Sequence, residues 1–279
     1  MTTFPRIPPI SMETVSSEPM TIRRTDLWGL RPEVGASCVT AFYYLYEGEN
    51  SRPLYFDRRT VKARLRFRGF PCLEIETVVW NPGDIDRDTR FPRTTYTRIA
   101  DGGTADICRI ERHDSGEAQM IEIDEPLEPW MITVGERGSV WTVVDEESGR
   151  SVTKAGPIPP DVGDNWTMSC ERHVLDTVIL SIGDRSHRCV RAETHFRHRS
   201  GTEWIVENFT RVDGRHILAR GYESEKGDQY AYVEGRPEIL REGVRYRLLC
   251  DMLHDYSLEG AADAPVVELS RRFTRYGRM

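Results

Sequence analysis

Two stretches far apart in this chain are versions of one another, and each carries the alternation of a β-strand. VKARLRFRGFPCLEIETVVW (61–80) aligns with TVILSIGDRSHRCVRAETHF (177–196), placing Cys72 on Cys189, Glu76 on Glu193 and Thr77 on Thr194. Upstream, RPEVGASC (31–38) resembles PPDVGDNW (159–166). Downstream, Tyr96-Thr97-Arg98-Ile99 with Asp101-Gly102 resembles Phe209-Thr210-Arg211-Val212 with Asp213-Gly214. The matches keep their order, and a period this long means two copies of one supersecondary unit rather than a solenoid. The sequence therefore reads as a tandem duplication. Residues 1–20 are a flexible or extended arm, 21–140 and 141–250 are the two repeats, and 251–279 are an extension with a closing strand at 266–276.

Each unit reads as antiparallel β. Val61, Ala63, Leu65 and Phe67 alternate with Lys62, Arg64, Arg66 and Arg68, the period of a strand with one wet face. A three-residue turn at Gly69-Phe70-Pro71 sets Arg66 opposite Glu74 and Arg64 opposite Glu76. In the second unit, Arg191, Glu193 and His195 share one face, and Val190, Ala192, Thr194 and Phe196 the other. Further strands are expected at 94–99, 105–112, 120–123, 203–212, 215–223 and 229–233. Asp101-Gly102-Gly103 and Asp213-Gly214 supply hairpin turns. Residues 244–254 carry a stripe compatible with a helix, and a strand competes with it. The expected class is all-β, as two half-barrels that join into one barrel or close separately.

Charge narrows the partners. The 279 residues hold 45 acidic and 38 basic side chains, a formal net charge of −7, which argues against a nucleic-acid binder. Lys62, Lys154 and Lys226 are the only lysines, so a Schiff-base mechanism is a poor fit. No apolar run approaches the roughly 18 residues of a membrane span. The opening residues lack a basic region followed by an apolar one, and the six cysteines are widely spaced with no Cys-x-x-Cys pair. Buried reduced thiols in a cytoplasmic protein are expected.

Cofactor signatures are absent from the sequence. It has no Walker-type phosphate loop, no Gly-x-Gly-x-x-Gly, no Gly-x-Ser-x-Gly and no His-Glu-x-x-His. His195 and His198 are three apart, hence on opposite faces of a strand, so no metal or other cofactor is expected. Two readings of the Arg/His-rich stretch 184–199 stand side by side. It is a solvated face with its charges paired, or it lines a wet cavity. In the second reading Arg191 clamps an anion while Glu193 or His195 moves a proton, with Glu76 at the matching place in the first unit. Trp204, Trp166, Trp80 and Tyr96 are core residues or, around a cavity, the wall that grips a flat apolar ligand.

GDRSHRCVRAE followed by TEWIVENFTRVDGRHILARGYE, within 160–235, resembles the half-barrel sheets of the LolA-like lipoprotein-carrier group. That resemblance implies a curved antiparallel sheet with a concave apolar ligand surface. The missing signal peptide is a departure, because those carriers work outside the cytoplasm. The tandem β units also resemble, more loosely, two-domain lipocalin-like cyclases of natural-product pathways. The expected function is binding of a hydrophobic, acid-bearing small molecule and its cofactor-independent cyclisation or isomerisation. The alternatives are a non-catalytic carrier or sensor of lipid-like molecules and a homodimeric interaction module.

Overall fold

The computed structural model describes residues 9–44, 55–80, 93–112, 118–124, 127–145, 150–163, 165–227, 230–233 and 235–254. Among them there is no α-helix, and two short 3-10 turns interrupt eighteen strands. In chain order these are β1 (Ile10–Ser16), β2 (Thr21–Arg23), β3 (Ser37–Tyr44), β4 (Tyr55–Phe67), β5 (Phe70–Trp80), β6 (Arg93–Ala100), β7 (Gly103–Arg112), β8 (Ala118–Asp124) and β9 (Glu128–Pro129). There follow β10 (Met131–Thr133), β11 (Arg137–Asp145), β12 (Arg150–Ala155), β13 (Trp166–Ile182), β14 (Arg185–His198), β15 (Glu203–Arg211), β16 (His216–Ser224), β17 (Glu238–Arg241) and β18 (Val244–His254).

One sheet of 16 strands runs β1-β13-β11-β12-β8-β7-β6-β5-β4-β3-β18-β16-β15-β14, with β17 added beside β18 and β9 beside β7. Because β13 also pairs with β14, the ends of that path meet and the sheet curls into a nearly closed barrel. The thinnest seam is β8–β12, parallel and held at Ser151–Ile123 and Val152–Asp124. The two halves thus join in a single sheet. β2 and β10 form a separate ribbon. It lies on the inner face, where Ile22, Ile132 and Val134 pack on Val174, Val190 and Ala192. The flanking Leu27, Leu30 and Trp130 pack on Val61, Leu73 and Ile75. Gly214 admits this insert: its φ is +90°, and a Cβ there would sit 2.0 Å from the Arg23 carbonyl oxygen. On the opposite face of the wall, Leu180 and Ile182 cluster with Ala41, Tyr43 and Phe56.

The strand sets β4–β7 and β13–β16 share register. Cys72 lies between Leu65 and Arg98, and Cys189 between Val178 and Arg211. A bulge follows Val61 in β4 and Val174 in β13, three residues before each cysteine's partner. A second shift opposes Tyr96/Thr97 to Cys108/Asp106, and Phe209/Thr210 to Leu218/His216. Bulges bend a strand and increase its twist, so the two sets curve alike.

Several expectations are corrected. The β4–β5 turn has two residues, Arg68 (φ 52°) and Gly69 (φ 85°), the mirror-image turn whose twist suits a hairpin. With the bulge, Arg66 faces Pro71 and Arg64 faces Leu73, while Glu76 sits opposite Thr60. Residues 10–16 of the expected arm are a strand on β13. Residues 230–233, expected as strand, form a 3-10 turn, and 244–254 are a strand rather than a helix because β16 and β3 pair on its two edges. The closing strand expected at 266–276 lies outside the described residues.

Candidate ligand cavity

Alternation decides which side chains of the barrel wall look inward. Thr194 and Phe196 of β14 line a cavity of about 740 Å³. Arg191, Glu193 and His195 therefore lie on the opposite face of the same strand. There Arg191 grips Asp176 through two bonds of 2.9 and 2.7 Å and reaches Glu207 at 3.3 Å. Glu193 is 1% exposed, bonded to Arg241 of β17 and at 3.0 Å from His195 Nε2. Burial raises its carboxyl, but the His195 and Arg241 bonds outweigh that and hold it at about 2. His195 stacks on His173 at 5.1 Å. This is a fully paired charge network outside the cavity.

The other expected site residues are also placed. Glu76 is half-buried and paired with Lys62 at 3.2 Å. Tyr96 stacks on Phe67 at 4.5 Å, on the face away from the interior. Trp166 opens β13 opposite Val143. Trp204 backs the cavity indirectly, stacked at 5.3 Å on Phe196. Trp80 ends β5, and its side chain lies outside the described residues.

The cavity draws instead on residues scattered over β3, β4, β11–β16 and β18. Phe42, Val140, Met168, Phe196, Val206 and Met252 supply much of its apolar wall. Besides Glu128, Glu136, Ser139, Thr142 and Thr153, its polar groups form two clusters. The first is the end built by β3, β4 and β18, under the indole of Trp28. There Thr40 Oγ1 lies 3.1 Å from His254 Nδ1 and accepts from Arg59 Nη2 at 3.5 Å. Arg59 also donates to the carbonyls of Leu27 and Trp28, which ties the inner segment to the wall. Burial raises the Asp57 carboxyl above the ordinary aspartate range, against Arg59 and a Thr40 hydrogen bond. Burial, helped by Arg59, drives His254 down to about 3, so its imidazole is neutral at neutral pH.

Thr40 has one proton to give. If Asp57 takes it, His254 Nδ1–H donates to Thr40 and Nε2 is a bare acceptor. If His254 Nδ1 takes it, Nε2 carries the proton. The two orientations of the Thr40 hydroxyl thus go with opposite His254 tautomers. Passing from one to the other needs one ring nitrogen to lose a proton and the other to gain one, as happens when His254 moves a proton on a ligand. Behind this pair, His216 is fully buried with its ring 4.8 Å from His254, and its Nε2 has no hydrogen-bond partner. Asp26 Oδ2 accepts from the His216 backbone N–H at 3.0 Å, and burial lifts that carboxyl to about 6.

No protein-family model, curated protein or solved structure matches this chain.

The second polar place is the wall of β13–β15, where Arg172, Thr194 and Asn208 face the same space. No group of three or more His, Cys, Asp or Glu able to hold a metal occurs among the described residues. All six cysteines are buried and outside any disulfide, and burial pushes the Cys189 and Cys250 thiols up to about 12, which keeps them unreactive. No helix of the described residues is long and apolar enough to cross a membrane.

Proposed function

We propose that the barrel binds a small, largely apolar molecule and promotes its isomerisation or cyclisation without a cofactor. The observation that carries this reading is the cavity of about 740 Å³, within the range of small-molecule sites, with an apolar wall and polar groups collected at discrete places. Close walls favour a flexible ligand's reactive conformer, which lowers the entropic part of a barrier. Asp57 and His254 are the proton carriers in this reading. A desolvated carboxylate is a stronger base than a surface one, and a neutral imidazole can give or take a proton without an initial charge penalty. Arg191, Glu193 and His195 keep a structural role. The shared bulges of β4–β7 and β13–β16 further support a duplicated unit as the origin of the two halves.

The test starts from the ligand that copurifies, identified after denaturing extraction. Wild-type protein should convert it to a product of unchanged mass. Asp57→Asn and His254→Ala should still bind it and convert it at least about 100-fold more slowly. Conversion at the wild-type rate by both variants contradicts the assignment, and binding without any conversion by the wild type leaves a carrier.

A further inference from the structure

Arg172 pairs directly across the β13–β14 ladder with Thr194, and Thr194 neighbours Asn208 diagonally, because Ala192 is the residue opposite Asn208 on β15. Directly opposed side chains on one face sit about 5 Å apart and diagonal ones about 7 Å. All three line the cavity. A guanidinium, a hydroxyl and a carboxamide thus share one stretch of wall, in a cavity that Glu128 and Glu136 also line.

None of the three is satisfied by the described residues. Thr194 and Asn208 make no side-chain hydrogen bond among the described residues. Arg172 has only a long approach to Glu128, at 3.8 Å, whose other oxygen is taken by Arg24 at 2.9 Å. Glu136 also faces Arg172, but one of its oxygens accepts from the Thr133 backbone N–H at 3.3 Å. Burial works against the charge on Arg172. A planar guanidinium with free donors in a partly desolvated wall fits a carboxylate, which takes two parallel N–H bonds and has lone pairs left for a hydroxyl and an amide.

We infer that Arg172, Thr194 and Asn208 form the head-group subsite of this cavity, and that the ligand is a monocarboxylic acid with an apolar body. The inference rests on the cavity being a ligand site. It also separates two tasks within it: β16 and then β18 follow β15 in the sheet, so His254 lies two strand spacings from Asn208, roughly 10 Å along the wall. The acid is anchored at one place, and the apolar body reaches the proton carriers at another.

The test compares the fluorescent polyene cis-parinaric acid with its methyl ester, which has the same body and no charge. Wild-type protein should bind both, the acid at least 10-fold tighter. Arg172→Met should bind the ester as the wild type does and lose the preference for the acid. Thr194→Val with Asn208→Leu should weaken the acid alone by at least 3-fold, and this double variant decides the matter if Arg172→Met does not fold. Equal binding of acid and ester by the wild type, or a preference that survives both variants, overturns the subsite while leaving the cavity. Binding of neither probe overturns the cavity reading and the subsite with it.

Discussion

The strand sets β4–β7 and β13–β16 share two bulges and the register around Cys72 and Cys189, yet what covers their faces differs. On the outer face, Glu76 meets Lys62 at the surface, whereas its counterpart Glu193 is 1% exposed beneath Arg241 of β17. On the inner face the insert covers matching places in both sets, Leu27, Leu30 and Trp130 over Leu73 and Ile75, and Ile22, Ile132 and Val134 over Val190 and Ala192. Beyond it, Thr194, Phe196 and Asn208 of the second set are left facing open space. A shared backbone therefore does not confer a shared role. The added segments, an insert that covers part of both inner faces and a hairpin outside the second set, decide which stretch of wall is core and which is site.

The largest effect expected from breaking this comparison is at the covered carboxylate. Arg241→Met leaves Glu193 buried with His195 alone and should cost about 3–5 kcal/mol in urea denaturation. A loss below about 1 kcal/mol would mean that the β17 hairpin does not hold this charge. Next comes the filled inner face: Leu73→Ala should cost about 2–5 kcal/mol, as large-to-small changes in a packed core do. Val206→Ala, at the cavity wall, should cost clearly less, since one side of Val206 already faces open space. Equal losses at the two positions would erase the distinction between filled and open walls.

Acid should separate the two sets as well. Asp106 and His216 occupy corresponding places, each beside a threonine, Thr97 and Thr210. Burial raises Asp106 and lowers His216, so falling pH relieves the first and loads the second. His254, lowered from 6.5 to about 3, acts with His216. A depressed histidine gives its full stabilisation above pH 6.5 and loses it as pH falls towards 3. From pH 6.5 to 5 His254 alone should account for about 2 kcal/mol, partly offset by Asp26, whose carboxyl is raised from 3.8 to about 6 and so favours the folded state as pH drops. His254→Gln should flatten the acid limb of stability against pH; an unchanged limb would contradict a buried neutral imidazole. The smallest effect is at the exposed carboxylate: Glu76→Gln should stay within about 0.5 kcal/mol, because its partner Lys62 is in solvent.

The architecture was legible in the sequence because alternation and repeated turn residues are local. The grouping of Arg191, Glu193 and His195 on one face follows from spacing alone. Their side of the barrel does not, since parity says which residues go together but not which set looks inward. Hairpin register was legible only in part: Lys62 sits in a bulge that no motif announces, so the pairing of Arg64 and Arg66 shifts. The site residues were hidden for a different reason. Thr40, Asp57 and His254 meet as cross-strand partners on β3, β4 and β18, and Arg172 and Asn208 flank β14 from β13 and β15, pairings between distant segments that no local pattern announces. The one available signal was the threonine of the repeated Cys-x-x-x-Glu-Thr. Thr194 points inward, one residue past Glu193.

Native mass spectrometry of the purified protein beside a Val140→Trp variant tests the central claim most directly. Val140 lines the cavity, so the added indole occupies ligand space without touching the polar groups. The account predicts a small-molecule mass on the wild type that is lost on denaturation and absent from the folded variant. A bare wild-type mass, unchanged after incubation with an excess of cis-parinaric acid, or the same adduct on both proteins, would contradict a ligand-binding barrel.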